Sequence, residues 1–252
     1  MNNETQNVAT PTNWNIRPPA TAAAWMVCRM RGGDLCAGSG VVSKVPGPER
    51  GNTMGNLEFS QPKHIYRLNG EVLPSVSDLC RFLHREVYKD APAWKMEDAA
   101  IRGDAVHTCA QQLDTCGTAT ISGDYAPYLK AYELFLLEHT VKWAMVEMPL
   151  YHPQELYAGT IDRYGFLDGF YTLLDIKTTY TVYKPLCRAQ LNLYRLMLVA
   201  KGLPVDKMYI LHLKKDGTYK LIRFEEDLPL ANSLITLHNA LRKRRRKGAK
   251  NV

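Results

Sequence analysis

Tyr157 to Phe166 and Phe170 to Thr178 are two strand-like stretches that meet at Asp168-Gly169, a dipeptide that turns one strand tightly back along another. No other segment constrains the fold as much. Trp143 to Tyr151 alternates as well, with Val146 and Met148 facing away from Glu147, and predicts a strand leading into this hairpin. A helix is predicted from Pro127, suited to a first turn, to about His139, and another from Pro185 to Lys201, closed by Gly202 and Pro204. Val205 to Leu213 and Tyr219 to Phe224 read as further strands, and a last helix starts near Leu228 and runs into the basic tail. Helix, three-stranded antiparallel meander, helix, strand is an α/β order, a mixed sheet flanked by helices.

Upstream the periodicity fades. Residues 1 to 58, rich in Asn, Thr, Pro, Gly and Ala, predict a disordered, low-complexity extension in which only Ala20 to Met30 suits a short helix. Order is expected from His64, with two apolar stretches around Asn69-Gly70 forming a hairpin. Ser75 or Ser77 then caps a helix to about Tyr88, and Met96 to Asp114 forms a second. The domain is therefore placed at residues 59 to 241, with a basic tail at 242 to 252.

The chain has 252 residues, 46% hydrophobic and 23% charged, enough for one sizeable core and a small appendage. No apolar run nears the roughly 18 residues of a membrane span, and the start lacks the basic-then-apolar order of a secretory signal. The expectation is a cytoplasmic protein with no membrane partner. Net charge is +7, but the last eleven residues hold seven of the 32 basic residues and no acid, so the body is neutral. Arg242, Arg244, Arg245 and Arg246 of this tail suit salt-sensitive contact with phosphates; a merely solvated end is the plainer alternative. The six cysteines contain no CxxC pair and read as reduced thiols. Cys28 and Cys36 with Cys109 and Cys116 lack the spacing and the flanking histidine of a metal site.

The chemistry concentrates on the third strand. In Leu174-Asp175-Ile176-Lys177, Asp175 and Lys177 share a face and the two apolar residues share the other. A carboxylate and an ammonium beside a core each need a partner or a metal. Asp162 stands thirteen residues before Asp175, across the turn, so pairing brings both carboxylates toward one point. Two such oxygens suit Mg²⁺, with Mn²⁺ able to substitute. A metal held there activates water and neutralises a phosphoryl group, while Lys177 positions or deprotonates the water or stabilises developing charge. Glu147 is placed to bind a second metal or a metal-bound water; an exposed structural role is the alternative.

Gly159-Thr160-Ile161-Asp162, Asp175-Ile176-Lys177 and Gln190-Leu191-Asn192-Leu193-Tyr194, in this order, resemble the PD-(D/E)XK nuclease superfamily and within it the RecB-like, lambda-type phage exonuclease branch. Ile161 stands where the family's proline does. Gly103-Asp104-Ala105-Val106-His107 resembles a helix motif of that branch at wider spacing. The resemblance spans about residues 60 to 225 and implies a restriction-endonuclease-like core. It makes Asp162, Asp175 and His107 metal ligands, Lys177 the catalytic lysine, and Gln190 and Tyr194 residues that line the site and touch DNA. It implies a metal-dependent DNA exonuclease of phage recombination or end processing, beside a single-strand annealing recombinase and in some relatives a homo-oligomer. A structure-specific or restriction-like endonuclease and a catalytically silent DNA-binding member are the alternatives. No iron–sulfur cluster is expected, since only Cys187 follows the core motifs where cluster-bearing relatives place three late cysteines.

Overall fold

The computed structural model describes residues 56–60 and 64–248, with side chains through Arg242. A five-stranded sheet is built from β4 (Val141–Tyr151), β5 (Ala158–Leu167), β6 (Phe170–Lys177), β7 (Lys207–Leu213) and β8 (Tyr219–Phe224) in spatial order β4-β5-β6-β7-β8. Its pairs are antiparallel except β6 with β7. The parallel step needs a crossover, and α5 (Lys184–Val199) supplies it. A second sheet, β1 (Leu57–Ser60), β2 (Ile65–Leu68) and β3 (Glu71–Leu73), is an antiparallel meander.

Alternation along the strands splits the core into two layers. Leu173 and Ile210 pack with Ala189, Leu193 and Met197 of α5 and with Leu234 and Ile235 of α6 (Leu228–Gly248). Their neighbours Leu174 and Leu211, with Ile176, face the other way. They meet Val106 and Ala110 of α3 (Ala93–Cys116) and Tyr132 and Phe135 of α4 (Ala126–Glu138). The expected mixed sheet flanked by helices is what the chain forms. A smaller cluster, Tyr66, Leu73, Tyr151 and Ala158, joins the second sheet to β4 and β5.

Both predicted tight turns form. Asn69-Gly70 and Asp168-Gly169 each have two residues of positive φ, at 52° and 85° and at 50° and 84°, which suits the right-handed twist of the strands they connect. Asp168 is fastened further, accepting from the Thr140 amide at 2.9 Å. Gly165 is needed for close approach. A Cβ there would lie 2.4 Å from the Lys142 carbonyl, where β4 bulges between Trp143 and Met145.

Three boundaries differ from expectation. β1 crosses the boundary set between residues 58 and 59, since Leu57 and Phe59 pack on the small cluster. Four residues beside a polar, glycine-rich stretch are too short to read as a strand. The first helix divides at Cys80 into α1 (Val76–Leu79) and α2 (Arg81–Tyr88): Val76, Leu79 and Cys80 are buried, whereas α2 buries nothing. Ser75 caps α1 in a reciprocal box with Asp78. At the other end, α6 continues to Gly248, so the helix expected to run into the basic stretch crosses the boundary set between residues 241 and 242. Residues 1–55, including Ala20 to Met30, Cys28 and Cys36, lie outside the described residues. Among the described residues Cys80, Cys109, Cys116 and Cys187 are free thiols, and no helix is long and apolar enough to cross a membrane.

Candidate active site

The site forms where β5 and β6 part. Their ladder runs from Leu167 opposite Phe170 to Arg163 opposite Leu174, and the next position would set Asp162 against Asp175. Pairing stops there. The Ile176 amide donates instead to the Asp162 carboxylate, Oδ2, at 2.7 Å. A side chain thus stands in for a ladder carbonyl, satisfying a buried N–H. Alternation also breaks: Ile161 packs against the α5 layer, while Arg163 reaches Asp114 and Tyr132 on the α3 and α4 side. The Asp162 carboxylate is consequently lodged between two diverging strands.

Three acidic or imidazole groups converge on this gap. His107 of α3, Glu147 of β4 and Asp162 offer ligand atoms all within 4.8 Å of one another. His107 Nδ1 is 3.1 Å from Glu147 Oε1 and 3.6 Å from Asp162 Oδ2. Its Nε2 lies 3.2 Å from the Ile176 carbonyl. A carbonyl only accepts, so Nε2 carries a hydrogen and Nδ1 is the atom turned to the carboxylates. Glu147 has φ +45°, the left-handed region, which costs a non-glycine residue on the order of 1–3 kcal/mol and persists only when its surroundings impose it.

Asp175 and Lys177 adjoin the gap, on the sheet face toward α5. Lys177 Nζ lies 2.5 Å from Asp175 Oδ2, and neither Asp175 oxygen has a hydrogen-bond partner beyond that ion pair. Asp175 is 1% exposed, so its open lone pairs are capacity for a cation or a donor from substrate. Burial pushes its carboxyl up to about 6; Lys177 opposes the rise and Asp162 adds to it. Burial also raises Asp162, against the pull of His107. Burial disfavours the Lys177 ammonium, yet Asp175 and Asp162 hold it above the ordinary lysine range. It stays charged.

His107 is lowered by burial but carried up to about 9 by Asp162 and Glu147. Without a divalent cation its proton is therefore the counter-charge of the cluster. A folded value above the unfolded 6.5 means a stabilisation complete below pH 6.5 and lost as pH rises to about 9. Asp175, raised from 3.8 to about 6, adds a separate loss over that lower interval. The cation-free protein should melt at falling temperature from pH 6.5 to 9, and His107→Gln should flatten that slope. A slope equally steep in the variant would assign it to another group.

The residues present suit a divalent cation. Two carboxylates and one imidazole nitrogen are a mixed oxygen and nitrogen donor set that a divalent cation accepts, and the cation would replace the His107 proton. The described structure gathers His107, Glu147 and Asp162 most closely, with Asp175 and Lys177 alongside. Gln190 and Tyr194 lie on α5, with Gln190 Nε2 3.5 Å from the Tyr194 hydroxyl. Tyr194 is pushed well above the usual phenol range by burial and by the charges of Asp175 and Asp162. A Cβ on Gly159 would lie 2.6 Å from its ring, so that glycine admits Tyr194 to the site. Arg242 sits on α6 near His238, and the side chains of Arg244, Arg245 and Arg246 lie outside the described residues.

The sequence pattern alone did not single out Asp114, Tyr132 or Arg163. Arg163 is 0% exposed, with Nε 2.6 Å from Asp114 Oδ2 and Nη1 2.9 Å from Glu147 Oε1. A signal existed: Asp114 follows His107 by seven residues, two turns along one face of α3. Tyr66 of β2 is a further neighbour, its hydroxyl 2.9 Å from Thr160 Oγ1.

No family model and no curated protein matches the chain. Among solved structures it is similar to an alkaline exonuclease, LHK-Exo, from Laribacter hongkongensis: 16% identity, 58% of this chain, 84% of that one, TM-score 0.34. The same enzyme in complex with dAMP matches at 16% identity over 71% and 95% of the two chains, TM-score 0.35. The crystal structure of SSO0001 matches at 19% identity over 66% and 75% of the two chains, TM-score 0.34. At these scores nothing about activity passes from them to this chain.

Proposed function

We propose that this chain is a Mg²⁺-dependent deoxyribonuclease of the PD-(D/E)XK type that degrades linear DNA from its ends. One observation carries the reading. At the point where β5 and β6 part, a His107–Glu147–Asp162 cluster lies beside the buried Asp175–Lys177 ion pair, whose carboxylate feels the Asp162 charge. A buried carboxylate whose oxygens have no hydrogen bond beyond the Lys177 ion pair, beside two more acids, is costly in a purely structural site. Asp162, Glu147 and His107 would hold the cation, with Asp175 contributing from the α5 side. When bound, the cation supplies Lewis-acid charge to a phosphoryl oxygen and acidifies water.

The chain's own groups do the rest. Lys177, held above the ordinary lysine range by Asp175 and Asp162 in the cation-free chain, would stabilise negative charge on the phosphoryl oxygens or position the attacking water. Asp175 fixes the ammonium at 2.5 Å. Gln190 and Tyr194 line the α5 side, where the amide orients the phenol. The resemblance in the motifs supports placing such an activity in end resection for phage recombination, in the host cytoplasm, beside an annealing recombinase and as a homo-oligomer.

Incubation with Mg²⁺ and either linear or covalently closed circular duplex tests the reading. Linear DNA should be lost, circular DNA should persist, and EDTA should abolish the loss. Equal cutting of both would make the chain an endonuclease. Binding without cleavage would make it a silent member of the fold.

A further inference from the structure

Arg163 is fully buried, and its guanidinium joins three elements of the fold. Nε donates to Asp114 Oδ2 of α3 at 2.6 Å. Nη1 donates to Glu147 Oε1 of β4 at 2.9 Å and to the Asp162 carbonyl of β5 at 2.7 Å. Tyr132 of α4 closes the far side, its hydroxyl donating to Asp114 at 2.7 Å and its ring centroid 5.7 Å from the guanidinium. One end of this network is thus rooted in the packing of α3 and α4. The other ends on Glu147, whose backbone is left-handed at φ +45° within a strand.

A buried ion pair is a weak source of stability, because desolvation offsets most of the attraction and apolar groups fill the same space as well or better. What an apolar group cannot do is hold a carboxylate in a conformation its backbone disfavours. The Asp162 carbonyl bond acts in the same way at the position where alternation along β5 breaks. An arginine fork spans a carboxylate on each side and a carbonyl at once; a lysine ammonium, a single point charge, does not.

We propose that Arg163 is a positioning residue that locks Glu147 in its left-handed conformation and so presents the Glu147 carboxylate, opposite His107 and Asp162, for cation binding. This rests on the reading of that cluster as the cation site. Removing the guanidinium should let Glu147 relax to extended backbone and withdraw its oxygen from the gap. The His107 and Asp162 ligands would remain, so affinity should fall rather than vanish.

The test is titration of the purified full chain with Mn²⁺, following free ion by electron paramagnetic resonance, with no DNA present. Arg163→Met should weaken binding by about 10- to 100-fold, the usual effect of removing a group that orients a ligand. Because that variant also strands Asp114, the double variant Asp114→Asn/Arg163→Met is the deciding one. It removes both buried charges and should recover much of the unfolding midpoint while its Mn²⁺ affinity stays low. Wild-type affinity in the double variant would overturn the proposal and leave Arg163 structural. If it too fails to fold, Arg163→Lys, which keeps the charge, decides by the same criterion: weakened binding in a folded protein supports positioning, wild-type binding refutes it. Asp162→Asn serves as the reference. Were Mn²⁺ binding unchanged in that variant, the cluster itself would not be the cation site, a separate failure from that of Arg163.

Discussion

Asp162→Asn is expected to lower Mg²⁺-dependent degradation of linear duplex by about 10³-fold or more, with the fold retained. The asparagine keeps an oxygen that can accept from the Ile176 amide, so the substitute ladder bond where β5 and β6 part survives. The charge is lost. His107 and Glu147 then face a neutral amide, and a cation at the gap loses one of its three closest ligands. Stability should change little or rise. Burial holds the Asp162 carboxyl above its usual range, meaning that the ionised form is disfavoured where it sits. Against this gain stands the lost attraction to the His107 imidazolium, 3.6 Å away. A functional carboxylate that destabilises its own fold is a common signature of a working site. Cleavage of end-labelled duplex alongside a thermal melt checks both halves. Activity within tenfold of wild type would remove Asp162 from the chemistry, and a collapsed melting transition would show that the charge, not the hydrogen bond, keeps the strands in place.

The segments that were legible in sequence share a local cause. Asp168-Gly169 and Asn69-Gly70 announce their turns because few other dipeptides accept two positive φ values. Once the first turn is fixed, antiparallel register follows by counting outward, and Asp162 comes opposite Asp175 without any tertiary information. The shared face of Asp175 and Lys177 follows from alternation on β6 in the same way. What could not be counted is where alternation fails. Ladder pairing ends one step short of the acidic pair, and Asp162 turns its carboxylate into the gap. Glu147 adopts a backbone that no glutamate advertises. Its reach to His107 depends on α3, forty residues earlier in the chain, docking on the sheet at one particular height. Arg163 and Asp114 are separated by 49 residues and belong to a strand and a helix, so their pairing is visible only after both layers are assembled. The last helix was legible as running into the basic residues, but the place where it ends was not. A run of Arg and Lys has good helix propensity and no apolar stripe to declare it.

The second large effect is on stability. Arg163→Met should cost about 3–5 kcal/mol, because it leaves Asp114 and Glu147 as buried or half-buried carboxylates without their shared cation. Asp114 bears most of this. Its side chain is 4% exposed, and among the described residues the Tyr132 hydroxyl would be its remaining hydrogen-bond donor. Glu147, whose side chain is 19% exposed, can turn toward water once released and bears less. Asp114→Asn in the same molecule removes the stranded charge and should recover most of the loss, since a neutral amide retains an acceptor for Tyr132. Arg163 is itself imperfectly satisfied: Nη2 has no hydrogen-bond partner, so the native network already bears a desolvation cost that methionine would relieve. Urea denaturation of the single and double variants at neutral pH measures the difference, provided the slopes agree with wild type. If the double variant were no more stable than the single one, the cost would lie in lost packing around Tyr132 rather than in an orphaned charge. The guanidinium would then matter for its shape in the α3 and α4 layer before it mattered for the acids it joins.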